Sequence, residues 1–190
     1  MKKFVISLLS VIFLCAAATA QVLVGMTDTT AYFPQLEGRR VAVLANHTAV
    51  ARFCAGAPGA AADTAVRLPG AASDGTIHLV DLLHGRGFDV TGIFSPEHGF
   101  RGTADAGEHV ASSVDAATGI PIRSLYDGNT KRPSDEAMRS FDVLVVDMQD
   151  VGLRFYTYYI TMLRMMDACA ESGRSVIVLD RPNPNGQDRK

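Results

Sequence analysis

The stretch Phe141-Asp142-Val143-Leu144-Val145-Val146-Asp147-Met148-Gln149-Asp150 decides the fold of this chain. Its first part is almost continuously apolar and rich in β-branched residues, and polar side chains follow at its end. A strand exposed on one face alternates apolar and polar residues, whereas a strand buried on both faces of a parallel sheet is apolar throughout. The stretch therefore predicts a central parallel strand with chemically useful side chains at its carboxyl end.

Four further apolar runs have the same form, and segments with helical spacing lie between them. These runs cover residues 40–45, 88–94, 120–125 and 175–179. Strands that alternate with helices in this way are typical of an α/β fold. We therefore predict a Rossmann-like open, mainly parallel sheet with helices on both faces, formed as one domain over residues 21–190.

Three helical segments connect these strands, and the shortest is predicted to begin with the capped sequence Ser134-Asp135-Glu136 after Pro133. Residues 76–85 have apolar side chains at helical spacing, which predicts a helix ending at Gly85. The longest helix is predicted for residues 152–172, with Arg154 in its first turn. The side chains predicted to face the core from this helix are Tyr156, Tyr159, Leu163, Met166 and Ala170.

The composition excludes several classes of protein. Hydrophobic residues make up 47% of the chain and charged residues 20%, which excludes a disordered or collagen-like chain. The formal net charge is −2 and no basic run occurs, so a nucleic-acid partner is not expected. The sequence lacks the GxGxxG, GxSxG and P-loop motifs, so neither a cofactor nor serine-hydrolase or nucleotide chemistry is expected.

The first twenty residues have the pattern of an export signal. Lys2-Lys3 precede the apolar segment 4–18, and Ala18-Thr19-Ala20 offers a cleavage site. The apolar segment is shorter than the roughly 20 residues that a membrane span needs. Lipid attachment at Cys15 is the alternative, but Leu14 is not the small residue that this modification needs beforehand. We therefore predict a periplasmic or secreted mature chain, cleaved after Ala20 and without a membrane span.

Export would leave Cys54 and Cys169 as the cysteines of the mature chain. They could form at most one disulfide, although two separate thiols are the favoured interpretation. No CxxC spacing occurs, so no zinc site is expected from them. Residues 51–75 are rich in Ala, Gly and Pro and are predicted to be a surface insertion between the first strand and the first helix.

Most polar residues of chemical interest directly follow a predicted strand. The carboxyl ends of parallel strands meet at one edge of an open sheet, where ligands bind. The residues expected to line this rim are Asn46, Glu97, His98, Asp147, Gln149, Asp150, Asp180, Arg181 and Asn183. Loops are polar in most proteins, so this placement alone does not distinguish a site from an ordinary surface.

The densest cluster is Ser95-Pro96-Glu97-His98-Gly99-Phe100-Arg101-Gly102. Glu97 and His98 could transfer a proton, and Arg101 could hold an anionic or hydroxylated substrate. A structural alternative is a turn in which Glu97 only pairs with Arg101. A metal site at His98 is a further alternative, disfavoured because the side chains of adjacent Glu and His diverge on an extended backbone.

A second cluster joins the strand ending at Asp147 to the longest helix. A helix N-terminus favours anions, and Arg154 would strengthen this preference. Tyr156 could stack on a sugar, but it fits the core stripe of the helix equally well.

Three ordered motifs resemble the exo-β-N-acetylmuramidase family. They are FSPEHGFRG at 94–102, DMQDVGLRFYTY at 147–158 and LDRPNP at 179–184, within a resemblance that covers residues 24–186. The resemblance implies a secreted or periplasmic glycosidase that removes terminal N-acetylmuramic acid from the non-reducing end of peptidoglycan fragments. It also implies that Glu97 is the catalytic carboxylate with His98 beside it, and that Asn46, Arg154 and Tyr156 lie in or near the cleft.

Two departures from the family pattern affect these expectations. The family usually has Asn-Gln-Thr-Gly after the first strand, where this chain has Asn46-His47-Thr48-Ala49. Family members also carry a second domain after the motif at 179–184, so we expect this chain to be the N-terminal part of such a protein and a poor catalyst alone.

Three questions stay open on the sequence. The second carboxylate of a glycosidase could be Asp147, Asp150 or a residue of the second domain, or the acetamido group of the substrate could replace it. A non-catalytic periplasmic module that binds muropeptides or sugars, and a metal-assisted hydrolase around His98, are the alternatives to a glycosidase that uses Glu97. The oligomeric state is undetermined.

Overall fold

The structure, a computed structural model, describes residues 24–53, 72, 75–97, 99–101, 113–125 and 132–185. The strands are β1 (Arg40–Ala45), β2 (Val50–Arg52), β3 (Thr76–His78), β4 (Asp89–Ser95), β5 (Ser113–Val114), β6 (Pro121–Ser124), β7 (Val143–Asp147) and β8 (Ser175–Val178). The helices are α1 (Thr29–Leu36), α2 (Leu79–Gly85), α3 (Asp135–Arg139) and α4 (Tyr158–Glu171). The predicted signal segment, Cys54, His98 and most of the predicted insertion lie outside the described residues.

The predicted α/β architecture is confirmed. Within the described residues, a six-stranded sheet has the order β5-β6-β4-β1-β7-β8. Its neighbouring strands run parallel, except that β5 pairs antiparallel with β6. All five residues of β7 are buried, as the continuous apolar run predicts.

Helices cover both faces of the sheet. On one face, side chains of α1 and α2 pack against Val41 and Val43 of β1. On the other face, side chains of α3 and α4 pack against Ala42 and Leu44 of the same strand. Because successive residues of a strand point to opposite faces, one continuous apolar strand supplies both cores.

The structure corrects the predicted helix over residues 76–85. Its first three residues form β3, which pairs antiparallel with β2, and the helix begins only at Leu79. His78 ends the strand and caps the helix, since its Nδ1 accepts a hydrogen bond from the Val80 N–H at 3.2 Å. Together β2 and β3 bring the two ends of the predicted insertion side by side.

The predicted helix over residues 152–172 begins later, and its buried face is rotated from the predicted one. Helix α4 starts at Tyr158, so Arg154 lies before the helix and not in its first turn. The predicted core residues Tyr159, Leu163 and Met166 are 37–46% exposed. The residues that α4 buries are Tyr158, Thr161, Met165, Ala168 and Cys169. Both sets have helical spacing, and they differ by a rotation of about 100°, which is one residue of an α-helix.

Cys169 is a buried free thiol on the inner face of α4. Burial raises its pKa to about 11, so the thiol is protonated near neutral pH. Among the described residues, no helix has the length and apolarity to span a membrane.

Candidate active site

The carboxyl ends of β1, β4, β7 and β8 meet at one edge of the sheet, because these four strands are parallel neighbours. Asn46 directly follows β1, and Glu97 lies two residues beyond β4. Asp147 is the last residue of β7, and Arg181 lies three residues beyond β8. The structure therefore brings the strand-end residues chosen from the sequence to a common rim.

Glu97 sits in a tight turn that is anchored on both sides. The Gly99 N–H donates to the Pro96 carbonyl at 3.2 Å, and Gly99 has a φ of +78°, a conformation that glycine adopts without steric cost. Phe100 is buried with its ring edge against His78, at a centroid distance of 4.9 Å. The backbone on either side of the carboxylate is thus fixed by packing.

The Glu97 carboxylate contacts the start of α4. Thr157, the residue before the helix, donates its hydroxyl to Glu97 Oε2 at 2.7 Å. Among the described residues, Oε1 has no hydrogen-bond partner, and the side chain is only partly buried. A carboxylate held by one oxygen and open at the other is suited to exchange a proton with a bound substrate.

Arg101 does not pair with Glu97, so this structural alternative is wrong. Its guanidinium instead pairs with Asp115 at 3.0 Å and with Asp81 of α2 at 3.2 Å. Burial alone would raise the pKa of Asp115, but hydrogen bonds from Arg101 and Thr118 outweigh it and lower that pKa. Arg101 therefore anchors the Glu97 loop, and its predicted role in holding substrate stays a prediction.

Asn46 organises the neighbouring loop from a fully buried position. Its Oδ1 accepts hydrogen bonds from the Thr48 N–H at 3.0 Å and from the Thr48 hydroxyl at 2.6 Å. The Thr48 oxygen in turn accepts from the Gln149 N–H at 2.9 Å, which links the loops after β1 and β7. The Asn46 Nδ2 group is buried and has no partner among the described residues.

Asp147 and Arg181 form a buried ion pair between the ends of β7 and β8. The guanidinium contacts both carboxylate oxygens, with Nη2 at 2.9 Å from Oδ2, and Nη2 also donates to the Val50 carbonyl at 3.1 Å. Burial raises the pKa of Asp147, and the Arg181 charge opposes that shift. Both side chains are enclosed and join the two strand ends, and their predicted contact with substrate stays a prediction.

Gln149 and Asp150 form the loop after β7. The Gln149 side-chain amide donates to the Pro182 carbonyl at 3.0 Å, which ties this loop to the one after β8. Asp150 Oδ1 accepts from the Gly152 N–H at 2.6 Å, whereas its Oδ2 is buried and has no partner in the part of the chain that the structure describes. Asp150 therefore keeps a carboxylate oxygen in need of a donor.

The remaining predicted substrate contacts differ in exposure. Arg154 and Tyr156 are exposed in the segment that leads to α4, and the Tyr156 ring is tilted against Phe155 at 5.6 Å. Asn183 Oδ1 accepts from the Asn185 N–H at 2.9 Å. Asn183 also lies so close to Gly152 that a Cβ there would collide with its amide. Arg154 and Tyr156 are thus accessible at the rim, whereas the Asn183 side chain packs against the backbone at Gly152.

A small cavity of about 140 Å³ opens beside the first turn of α4. Its polar lining comes from Asp150, Asp180 and Arg181, and Tyr158 and Tyr159 line it from the helix. Tyrosines combine an apolar ring with a hydroxyl, as a sugar surface requires. The cavity therefore offers apolar walls and the polar groups of Asp150, Asp180 and Arg181 to a ligand that forms hydrogen bonds.

Three residues of this rim were not chosen from the sequence. Thr48, His78 and Thr157 act through hydrogen bonds to predicted residues, which no local pattern indicates. Across the described ranges, no three His, Cys, Asp or Glu side chains form a group that could hold a metal ion. The His98 of the metal alternative lies outside those ranges.

Comparison with known proteins identifies the same family that the sequence motifs resemble. Residues 63–190 match the family model described as "Exo-beta-N-acetylmuramidase NamZ, N-terminal". The chain is 50% identical over 108 residues to the peptidoglycan beta-N-acetylmuramidase NamZ of Bacillus subtilis (strain 168). That alignment covers 56% of this chain and 26% of the Bacillus protein.

Two solved structures share the fold, and both are DUF1343 family proteins from Bacteroides fragilis NCTC 9343. One is 44% identical with a TM-score of 0.63, and the other is 34% identical with a TM-score of 0.65. Each comparison covers 87% of this chain but 36% of the Bacteroides chain. The chain thus spans about a third of the length of these structures and about a quarter of the curated relative.

Proposed function

Since the chain belongs to the family of exo-β-N-acetylmuramidase NamZ N-terminal domains, we propose that it carries the catalytic carboxylate of a peptidoglycan glycosidase. The proposed reaction releases terminal N-acetylmuramic acid from the non-reducing end of peptidoglycan fragments. We also propose that the protein is periplasmic or secreted after cleavage following Ala20. Sequencing the N-terminus of the mature protein tests the cleavage site.

The observation that carries this proposal is the position of Glu97. Its carboxylate lies at the carboxyl edge of the parallel sheet, fixed by the Pro96–Gly99 turn and by the Thr157 hydroxyl. As a general acid, Glu97 would protonate the glycosidic oxygen as the bond to the sugar breaks. As a base, it would then accept a proton from the attacking water.

Asp150 is the better candidate of the two predicted partner carboxylates. Asp147 is enclosed with Arg181, and its carboxylate already forms an ion pair with that guanidinium. Asp150 keeps an unpartnered Oδ2 and lines the small cavity with Tyr158 and Tyr159. The acetamido group of the substrate, or a carboxylate elsewhere in a longer protein, would serve in its place if Asp150 only binds the sugar.

A single-turnover assay with protein in excess tests the proposal, because it detects slow hydrolysis. Hydrolysis of a chromogenic muramic acid glycoside is compared for the unchanged protein, Glu97→Gln and Glu136→Gln, an exposed glutamate of α3. The rate should fall about 10²–10⁴-fold in Glu97→Gln and stay unchanged in Glu136→Gln. Normal hydrolysis by Glu97→Gln would overturn the assignment.

The same assay separates the alternatives. Binding of the glycoside without any hydrolysis by the unchanged protein would identify a binding module instead of a glycosidase. Hydrolysis that a chelator abolishes would favour metal-assisted chemistry around His98.

A further inference from the structure

A second and larger cavity lies on the other half of the sheet, between β5, β6 and α3. Its volume is about 530 Å³, within the range of small-molecule sites. The floor is apolar and includes Phe94 and Leu125, and hydroxyls come from Ser113, Ser124 and Ser134. Glu97 and Asp150 do not line it, so it is separate from the small cavity of the rim.

Arg123 of β6 is the notable side chain of this larger cavity. It pairs in register with Phe94, so both side chains point to the same face of the sheet. The guanidinium reaches over Gly92 of β4, where a Cβ would collide with Nη1. The absence of a side chain at position 92 therefore leaves the space that the guanidinium occupies.

Among the described residues, no carboxylate neutralises the Arg123 guanidinium. Its Nη1 is buried and makes no hydrogen bond, and no described carboxylate forms an ion pair with Arg123. Other arginines of the described chain do have such partners: Arg40 pairs with Asp142, and Arg101 pairs with Asp81 and Asp115. A charged group without an acceptor is unfavourable, so an acceptor that a ligand supplies to the guanidinium would stabilise it.

We propose that this cavity is a binding site for a small organic carboxylate, with Arg123 as its anchor. The planar guanidinium presents paired donors that match the two oxygens of a carboxylate. The apolar floor favours a ligand with a carbon skeleton over a bare inorganic anion, and the three serines can bind its hydroxyl or amide groups. The carboxylate could be borne by a sugar acid or by the end of a peptide, and the experiment distinguishes these sources.

Calorimetric titration tests the site with four probes: N-acetylmuramic acid, N-acetyl-alanyl-alanine, neutral N-acetylglucosamine and inorganic phosphate. At least one carboxylate probe should bind the unchanged protein, and Arg123→Gln should weaken that binding roughly 10- to 100-fold. Arg86→Gln, which changes an exposed arginine at the end of α2, should leave it unaltered. The probe that responds to Arg123 identifies the source as a sugar acid or a peptide.

Two more variants separate charge from geometry. Gly92→Ala keeps the charge of Arg123 but takes the space of its guanidinium, so it should weaken binding as Arg123→Gln does. Arg123→Lys keeps the charge without the paired donors and should restore only part of the affinity. Thermal unfolding in anion-free buffer verifies that each variant is folded.

The proposal is overturned if no carboxylate probe binds in an Arg123-dependent manner, or if phosphate binds as well as the best carboxylate. It does not rest on catalysis at Glu97. Carboxylate binding should persist in Glu97→Gln, so loss of hydrolysis and loss of this site are distinguishable results.

Discussion

The hydroxyl of Thr157 donates a 2.7 Å hydrogen bond to Glu97 Oε2, across 60 residues of sequence. The contact joins the turn after β4 to the residue that precedes α4. It holds one oxygen of the carboxylate, whereas the other oxygen has no partner among the described residues.

Thr157→Val should therefore lower turnover without comparable loss of substrate binding. Valine has the shape of threonine but no hydroxyl, so the carboxylate loses its fixed orientation. Misplacing a reacting group by about 1 Å costs up to roughly 100-fold in rate. We expect kcat to fall 10- to 100-fold with KM nearly unchanged, measured with the muramic acid glycoside.

Thr157→Ser is the matched control because it restores the donor, and its kcat should return close to the original value. If both variants lose activity equally, the hydroxyl does not position Glu97. Unchanged activity in Thr157→Val would lead to the same conclusion.

The buried pair of Asp147 and Arg181 leads to a prediction on stability. Asp147→Asn removes one charge and leaves the guanidinium enclosed without its partner, which costs about 3–5 kcal/mol in the free energy of unfolding. Urea denaturation measures this loss. Asp142→Asn is the comparison, because the Asp142 pair with Arg40 is partly exposed and its removal should cost much less.

A small and equal effect of the two substitutions would show that the buried pair does not hold β7 to β8. A substrate-binding role for Asp147, as first predicted, would instead lower affinity while leaving the unfolding free energy unchanged.

The strand ends were predictable because parallel strands obey a simple rule. A continuous apolar run such as 141–146 indicates a doubly buried strand, and parallel strands must place their carboxyl ends together. Asn46, Glu97 and Asp150 therefore reach one rim whatever the details of the helices. The partners of these residues were not predictable, because contacts such as Glu97 with Thr157 depend on how distant segments pack.

The buried face of α4 could not be read from the sequence for a related reason. Leu163 and Met166 form an apolar stripe that is as regular as the buried one, which includes Thr161 and Ala168. Both faces carry large side chains: Tyr158 and Met165 are buried, whereas Leu163 and Met166 stay exposed. Hydrophobic spacing alone gives no information on such a choice between two adjacent faces.

This orientation of α4 predicts unequal losses of stability for two substitutions in the helix. Met165 is fully buried, so Met165→Ala should cost about 2–5 kcal/mol in unfolding free energy. Leu163 is 46% exposed, so Leu163→Ala should change it by no more than about 0.5 kcal/mol. Urea denaturation of both variants measures the difference, and the reverse order would restore the face predicted from the sequence.

The last prediction concerns pH and depends on His78, which supports the loop of Asn46. The ring donates from Nε2 to the Asn46 carbonyl at 2.9 Å and accepts from the Val80 N–H at Nδ1. Both bonds need the neutral ring with its proton on Nε2, because a proton on Nδ1 would face the Val80 N–H. Protonation therefore breaks the cap of α2.

Burial lowers the pKa of His78 below its usual value of 6.5, and the hydrogen bond to Asn46 only partly opposes this. The unfolded chain consequently takes up a proton at a higher pH than the folded protein does. The stabilisation is complete above the unfolded pKa and is lost as the pH falls from about 6.5 through the folded pKa. Unfolding free energies measured between pH 7.5 and 5 should decline accordingly.

Two variants test whether His78 causes this decline. His78→Asn keeps an acceptor for the helix cap but does not titrate, so its unfolding free energy should decline less. His84→Asn changes an exposed histidine of α2, and its unfolding free energy should decline like that of the unchanged protein. Identical pH profiles for His78→Asn and the unchanged protein would show that another group causes the acid sensitivity.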